Sequence, residues 1–186
     1  DLLTSRGLGD VYKRQIDASN INTLIGNAAN LITAYDSGGI SGLGNEAVNV
    51  NSGSASTSQA NALAADTSGV VTATISDGDM ATLAGLSETG NAYTITITDN
   101  SVAGAALNTL DGKTSVAINA SNITTLTGAA ADLNSAYASS GISNLGNEAV
   151  TLTDTSLAAS VLNILDGHTS GTINASSINT LTGAAA

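Results

Sequence analysis

The sequence predicts an α/β chain of stacked strand–helix coils, and three observations predict it. Residues 107–131 (LNTLDGKTSVAINASNITTLTGAAA) return at 162–186 (LNILDGHTSGTINASSINTLTGAAA), 55 positions on. Ile16–Val50 returns at Ile118–Leu152 with about two thirds of its residues unchanged. Such self-similarity marks arrays in which each unit buries its apolar face on the next. Short β-branched runs alternate apolar and polar residues, as in Tyr93–Thr98 (YTITIT), which is the period of a half-buried strand. Between them lie Ala/Leu-rich runs such as SLAASVLNILDG, which favour helix by intrinsic propensity.

Strand, helix and strand again within some 21 residues implies parallel strands joined by right-handed crossovers. The expected architecture is therefore a right-handed α/β solenoid with a one-sided parallel sheet. An all-β solenoid is the alternative, since its rungs have similar lengths.

The elements follow in order. Seven segments end in a polar corner, with anchors at Ile16, Val50, Ile75, Ile97, Ile118, Leu152 and Ile173, spaced 34, 25, 22, 21, 34 and 21 residues apart. This spacing reads as strand–helix coils of 21 and 34 residues, one of each per 55-residue unit. Ile95 and Ile97 share one strand face, as do Val150 and Leu152. Beyond the corners, Leu157, Val161 and Leu165 fall on one helical stripe. Met80, Leu83 and Leu86 make a shorter stripe, and Val102, Ala106 and Leu110 another. Asp99, Asp154, Ser121 and Ser176 are residues that cap helix N-termini, and Gly112 and Gly167 stand where a left-handed C-terminal cap is expected. In the long coil, Ile123–Thr127 reads as a short helical turn before a helix over Ala129–Ser139, with Leu133 and Tyr137 in register; Leu31 and Tyr35 match them in the earlier copy. The tail GISxLGNEAV (Gly39–Val48, Gly141–Val150) feeds the next strand. Residues 51–70 fit least well and are expected to form a loose, degenerate coil.

Residues 1–15 (DLLTSRGLGDVYKRQ) stand apart. They hold three of the four basic residues, Arg6, Lys13 and Arg14, and match no repeat unit. They carry no apolar run of the kind a signal peptide needs. The segment resembles the translated sequencing-adapter tail (GDVYKRQ) seen at the ends of unrelated metagenomic reading frames, which makes 1–15 a non-native leader. At the other end Ala186 aligns with Ala131, inside a unit. The expectation is a single repeat domain over 16–186, cut at both ends, whose uncapped last coil promotes end-to-end association.

Composition narrows the function. Residues 16–186 carry thirteen acids and one base, Lys113, a net charge of about −12. Phosphate and anionic membrane surfaces need clustered cations, so neither nucleic acid nor membrane is expected as a partner. No run is long enough to span a bilayer. With no cysteine there are no disulfides, thiolate zinc sites or thiol nucleophiles. Low charge, an acidic balance and abundant Thr, Ser, Asn and Gly suit an extracellular or cell-surface bacterial protein.

Each candidate site has a competing structural reading. Asp77, Asp79, Asp99 and Asp154 lie at strand ends, where stacked acids could form a calcium column; helix capping explains them more simply, and no EF-hand or GGxGxD motif is present. Glu46 and Glu148 recur before strands, too far apart for a paired-carboxylate site, and read as solvated or backbone-bonded turn residues. His168, the lone histidine, is replaced by Lys113 in the preceding unit, as a surface turn allows and a general base does not. No GxSxG elbow appears, and the glycines of Ser37–Asn45 read as turns. With Ile75, Ile97 and Leu152 inward, Thr74, Ser76, Thr96, Thr98, Thr151 and Thr153 point outward in TxT ranks similar to those of ice-binding surfaces, broken by Ala117, Asn119, Asn49 and Asn51.

The extended repeat LGNEAVTLTDTSLAASVLNxLDG…TINASSINTLTGAAADLNxAYASSGI resembles the tandem repeats of very large acidic surface or secreted proteins of marine cyanobacteria and other marine bacteria. The resemblance covers most of 91–186 and, more faintly, 16–50. It implies a cell-surface, adhesion or motility role and brings no catalytic residues. The expectation is a non-catalytic spacer or adhesive stalk without cofactors, partnered by neighbouring repeats and by surface glycans. The alternative is a module binding carbohydrate, calcium or ice on the Thr/Asn sheet face. A polysaccharide-lyase-like enzyme would need acids and bases breaking the repeat on one face, and none is visible.

Overall fold

The structure, a computed structural model, describes residues 15–183; all of the leader but Gln15 lies outside them. The described chain is mixed α/β. It runs β1 (Ile16–Asp17), β2 (Thr23–Gly26), α1 (Ala28–Tyr35), β3 (Ile40–Ser41), β4 (Ala47–Val50) and α2 (Thr57–Asp66). Then come β5 (Val71–Thr74), α3 (Met80–Leu83), β6 (Ala92–Thr94), β7 (Ser101–Ala103) and α4 (Gly104–Asp111). β8 (Ile118–Asn119), β9 (Thr125–Gly128), α5 (Ala130–Ala138), β10 (Ile142–Ser143) and β11 (Ala149–Leu152) follow. The last elements are β12 (Ser156–Ala158), α6 (Ala159–Asp166), β13 (Ile173–Asn174) and β14 (Thr180–Thr182).

Every pairing between these strands is parallel. Two four-stranded sheets, β2-β4-β5-β6 and β7-β9-β11-β13, are joined by three two-stranded ones, β1-β3, β8-β10 and β12-β14. Among the described residues the pairings thus fall into five short ladders. Partners lie 20 to 24 residues apart along the chain, from Thr72 beside Ala92 to Thr125 beside Ala149. This replaces the expected alternation of 21- and 34-residue coils. The 34-residue anchor step spans more than one coil, because the expected helical turn Ile123–Thr127 runs instead into strand β9, which pairs with both β7 and β11. A coil here means the run of chain between two paired strands.

Alternation along the strands builds the core. Val71, Ala73 and Ile75 are buried while Thr72, Thr74 and Ser76 are exposed; Tyr93, Ile95 and Ile97 repeat this beside Thr94, Thr96 and Thr98. These side chains join Leu63, Leu83, Leu107, Leu126, Leu133 and Leu152 in one contiguous cluster. The helical stripes differ from expectation. Leu157 and Val102 belong to strands β12 and β7, and the face buried by α4 is Gly104, Leu107 and Leu110. α3 is a single turn that ends before Leu86.

Residues 51–70, expected to be loose, contain the ten-residue α2. Ser56 and Gln59 form a reciprocal capping box there, which satisfies two of the orphan amides at a helix start, and Ala60 and Leu63 are buried. Nor do the glycines after α4 and α6 form left-handed caps: Gly112 and Gly167 have φ of −66° and −71°. Left-handed backbone occurs instead in the GISxLGNEAV tail. The variable x is Gly42 at φ 85° in one copy and Asn144 at φ 66° in the other, the two residue types that accept this region most readily.

Candidate functional site

The four candidate calcium ligands bind backbone amides. Asp79 is the N-cap of its own helix α3 and accepts the Thr82 amide at 2.8 Å, a bond that holds its carboxyl below the usual range. The other three reach across coils. Asp77 accepts the amide of Thr57, first residue of α2, at 2.6 Å. Asp99 accepts that of Met80, first in α3, at 2.6 Å, and Asp154 that of Ala130, first in α5, at 2.8 Å. Capping was expected within a carboxylate's own coil; the helix served lies in the preceding one. An orphan helix-start amide is a good carboxylate partner because the helix dipole is positive there. Ser121 and Ser176, also expected as caps, instead donate their backbone amides to Asn119 and Asn174 in tight corners. Among the described residues no group of three or more His, Cys, Asp or Glu is placed to hold a metal ion.

Asparagine side chains reach the other way, to the following coil. The Asn61 amide donates to the Gly85 carbonyl at 2.7 Å, and Asn108 to that of Asp132 at 2.9 Å. Each bond satisfies a carbonyl in the next coil.

Glu46 and Glu148, expected as turn residues that were solvated or backbone-bonded, are buried, each about 1 % exposed. Glu46 accepts the amides of Gly44 and Asn45 and the hydroxyl of Tyr35. Burial works against its charge, but the Tyr35 hydroxyl and the local amides more than offset this and hold the carboxyl below its usual range. Burial, followed by Glu46, raises the Tyr35 phenol in turn. Glu148 repeats the arrangement with Gly146, Asn147 and Tyr137. The Tyr137 phenol is pushed up to about 12, by burial first and by the charge of Glu148. Each glutamate carbonyl accepts a buried threonine hydroxyl from the next coil, Thr67 at 2.6 Å and Thr169 at 2.7 Å. The tyrosine partners were missed in the sequence, although the signal was present: tyrosine precedes glutamate by eleven positions in both copies.

His168, expected on a surface turn, is half-buried. Its ring stacks on Tyr137 with centroids 5.6 Å apart and planes 8° from parallel. Lys113, its counterpart in the preceding unit, donates to the Ser87 carbonyl at 2.9 Å. The two positions therefore share a place in the repeat and not a chemistry.

The outward hydroxyls are brought together in part. Thr74 of β5 pairs beside Thr94 of β6, and Thr72, Ser76, Thr96 and Thr98 are exposed on the same surface. The rank breaks at Asn119, which bridges to Thr96. Thr151, in the other four-stranded sheet, is half-buried, and Thr153, just past its strand, is exposed.

Among the described residues no helix is long and apolar enough to cross a membrane. No protein-family model, curated protein or solved structure matches the chain.

Proposed function

We propose that the chain is a segment of a right-handed α/β solenoid serving as a spacer or adhesive stalk of a large bacterial surface or secreted protein, without catalysis. The observation that carries this reading is where the carboxylates go. Asp77, Asp99 and Asp154 each join one coil to the next, and Glu46 and Glu148 are bound to backbone amides and a tyrosine. Side chains that could do chemistry are spent on stacking. A stack of near-identical coils adds length per repeat, and its acidic surface keeps neighbouring molecules apart. The extracellular setting is supported by the composition and by the repeat's resemblance to marine bacterial surface proteins.

Small-angle scattering tests the shape: a rod whose length grows when a further 55-residue unit is added supports the reading, and a compact particle overturns it.

The exposed hydroxyl rank on β5 and β6 favours a second reading, a module whose sheet face binds a carbohydrate. Glycan-array binding that is lost in Thr96→Tyr would replace the pure spacer by this one.

A further inference from the structure

The helices are uneven in the middle of the chain. α3 is a single turn of four residues, where α2, α4 and α5 have ten, eight and nine. In those three helices the fifth residue is an asparagine, Asn61, Asn108 or Asn134, whose side-chain amide donates to a carbonyl of the following coil. The fifth place counted from the start of α3 falls just past its end, on Ala84, which has no side chain to make such a bond.

A cavity of about 250 Å³ lies at this place, between α3 and α4. Leu83 and Leu110, both buried, and the half-buried Met80 line it with the small side chains of Ala84 and Ala106. Two polar side chains join them. The Thr109 hydroxyl donates to the Ala105 carbonyl of its own helix at 2.9 Å, so it has no proton left to offer. Lys113 donates to the Ser87 carbonyl at 2.9 Å, and because an ammonium carries three donors, others remain. Lys113 is the single base of residues 16–186. His168, its counterpart 55 positions on, is stacked on the Tyr137 ring instead, so this pairing of a cation with an apolar cavity belongs to one coil and not to the repeat.

We infer that the α3–α4 cavity binds an unbranched aliphatic carboxylate of about eight carbons, its chain against Met80, Leu83 and Leu110 and its carboxylate on the Lys113 ammonium. Apolar walls with a few converging polar groups are the usual form of a small-ligand site. Size sets the length. A cavity of about 150 Å³ admits benzene, so one of about 250 Å³ admits about ten heavy atoms, those of octanoate. The walls are aliphatic, and the flexible Met80 adapts to a chain. Charge sets the head group: a carboxylate accepts charge-assisted bonds from the remaining Lys113 donors, which an uncharged head cannot match. The site does not depend on the spacer reading, and its failure would leave that reading untouched.

Met80 is the only methionine, so isotope labelling of the methionine methyl in the full chain places one NMR signal in the cavity. The signal is followed through titrations with octanoate, octan-1-ol and acetate. Salt of about 0.15 M screens the net charge of −11 beyond about 8 Å. Octanoate should shift the Met80 signal saturably below its micellar concentration, and acetate should not shift it. Octan-1-ol should bind about tenfold more weakly than octanoate, for want of the bond to a charged group. Lys113→Gln should weaken octanoate by about the same factor and leave octan-1-ol unchanged. Ala106→Leu should fill the cavity and abolish both; Ala106 is exposed, so the variant should melt as the parent does. No saturable shift with octanoate, or one undiminished in Ala106→Leu, overturns the site. Octan-1-ol binding as tightly as octanoate, or an octanoate affinity untouched by Lys113→Gln, overturns the carboxylate.

Discussion

Asp154 caps a helix that it follows by a full coil. Its carboxylate accepts the amide of Ala130 at 2.8 Å, and α5 has no side-chain cap of its own, because its N-cap position is Ala129. The helix start is completed only when the next coil is in place. Asp77 and Asp99 likewise accept the first amides of α2 and α3, helices that also carry caps of their own in Ser56 and Asp79. Formation of these helix starts is thereby coupled to contacts made some 20 residues further along the chain.

Asp154→Ala should destabilise the chain by about 1 kcal/mol, the usual worth of an N-terminal cap, and Asp154→Asn by less, since an amide oxygen still accepts. Urea unfolding measures both. EDTA should leave the melting midpoint unchanged, because these carboxylates are occupied by amides; a drop restored by calcium would reassign them to a metal.

Glu46 contributes to stability on the acid side. The folded-state pKa of Glu46 is depressed, so its contribution is present above its unfolded value and lost as pH falls through the folded one. Stability should therefore decline on acidification below about pH 4.5, where an ordinary glutamate carboxyl takes up its proton. Tyr35→Phe removes one of the bonds stabilising the anion and should cost about 1–3 kcal/mol at neutral pH. It should also flatten the acid limb. Urea midpoints against pH for both proteins check this.

The alkaline limb has the opposite sign. Tyr137 ionises near 10 when unfolded and at about 12 when folded. Its contribution is complete below pH 10 and disappears as pH rises through 12. A phenolate absorbance titration should show delayed ionisation, and Tyr137→Phe should remove that component. Loss of the delay in Glu148→Gln alone would separate the glutamate's charge from burial.

Two glycines are required by contact and not by conformation. A Cβ on Gly69 would lie 2.3 Å from the Glu46 carbonyl oxygen, and one on Gly171 2.1 Å from that of Glu148. Backbone cannot yield as a side chain can, so Gly69→Ala and Gly171→Ala should each cost about 1–3 kcal/mol or more. Gly38 has nothing within 4 Å of the same atom, and Gly38→Ala should be neutral or slightly stabilising. Equal costs at all three would contradict the packing around the glutamate carbonyls.

What was legible in the sequence was local. The alternation of Ile95 and Ile97 with Thr94, Thr96 and Thr98 follows from the two-residue period of a strand, and the buried Leu133 of α5 from helical spacing. What was not legible depended on the next coil. Thr125–Gly128 has no strand run of its own and becomes β9 because β7 and β11 flank it. Anchor spacing misjudged the coil length for the same reason, since register is set between chains of contacts and not along one. The partner of Asp77 is 20 residues away and that of Asp154 is 24, so a search for caps beside each carboxylate looked in the wrong coil. Glu46 looked like an ordinary turn residue because its burial comes from Tyr35, eleven positions earlier.

Equivalent leucines should differ sharply in what they contribute. Leu126 is fully buried between β7 and β11, whereas Leu181, its counterpart 55 positions on, is 56 % exposed in the last described coil. Leu126→Ala removes buried methyls and leaves a cavity flanked on both sides, a loss of about 2–5 kcal/mol. Leu181→Ala in the monomer should stay within about 0.5 kcal/mol, as surface substitutions do. Chain, residue type and place in the repeat are matched, so the difference isolates the energy of being covered by a following coil. Adding a further 55-residue unit after Ala186 should raise the cost of Leu181→Ala toward that of Leu126→Ala in urea unfolding. If it does not, position 181 is not a stacking position, and the equivalence of the coils fails at that point.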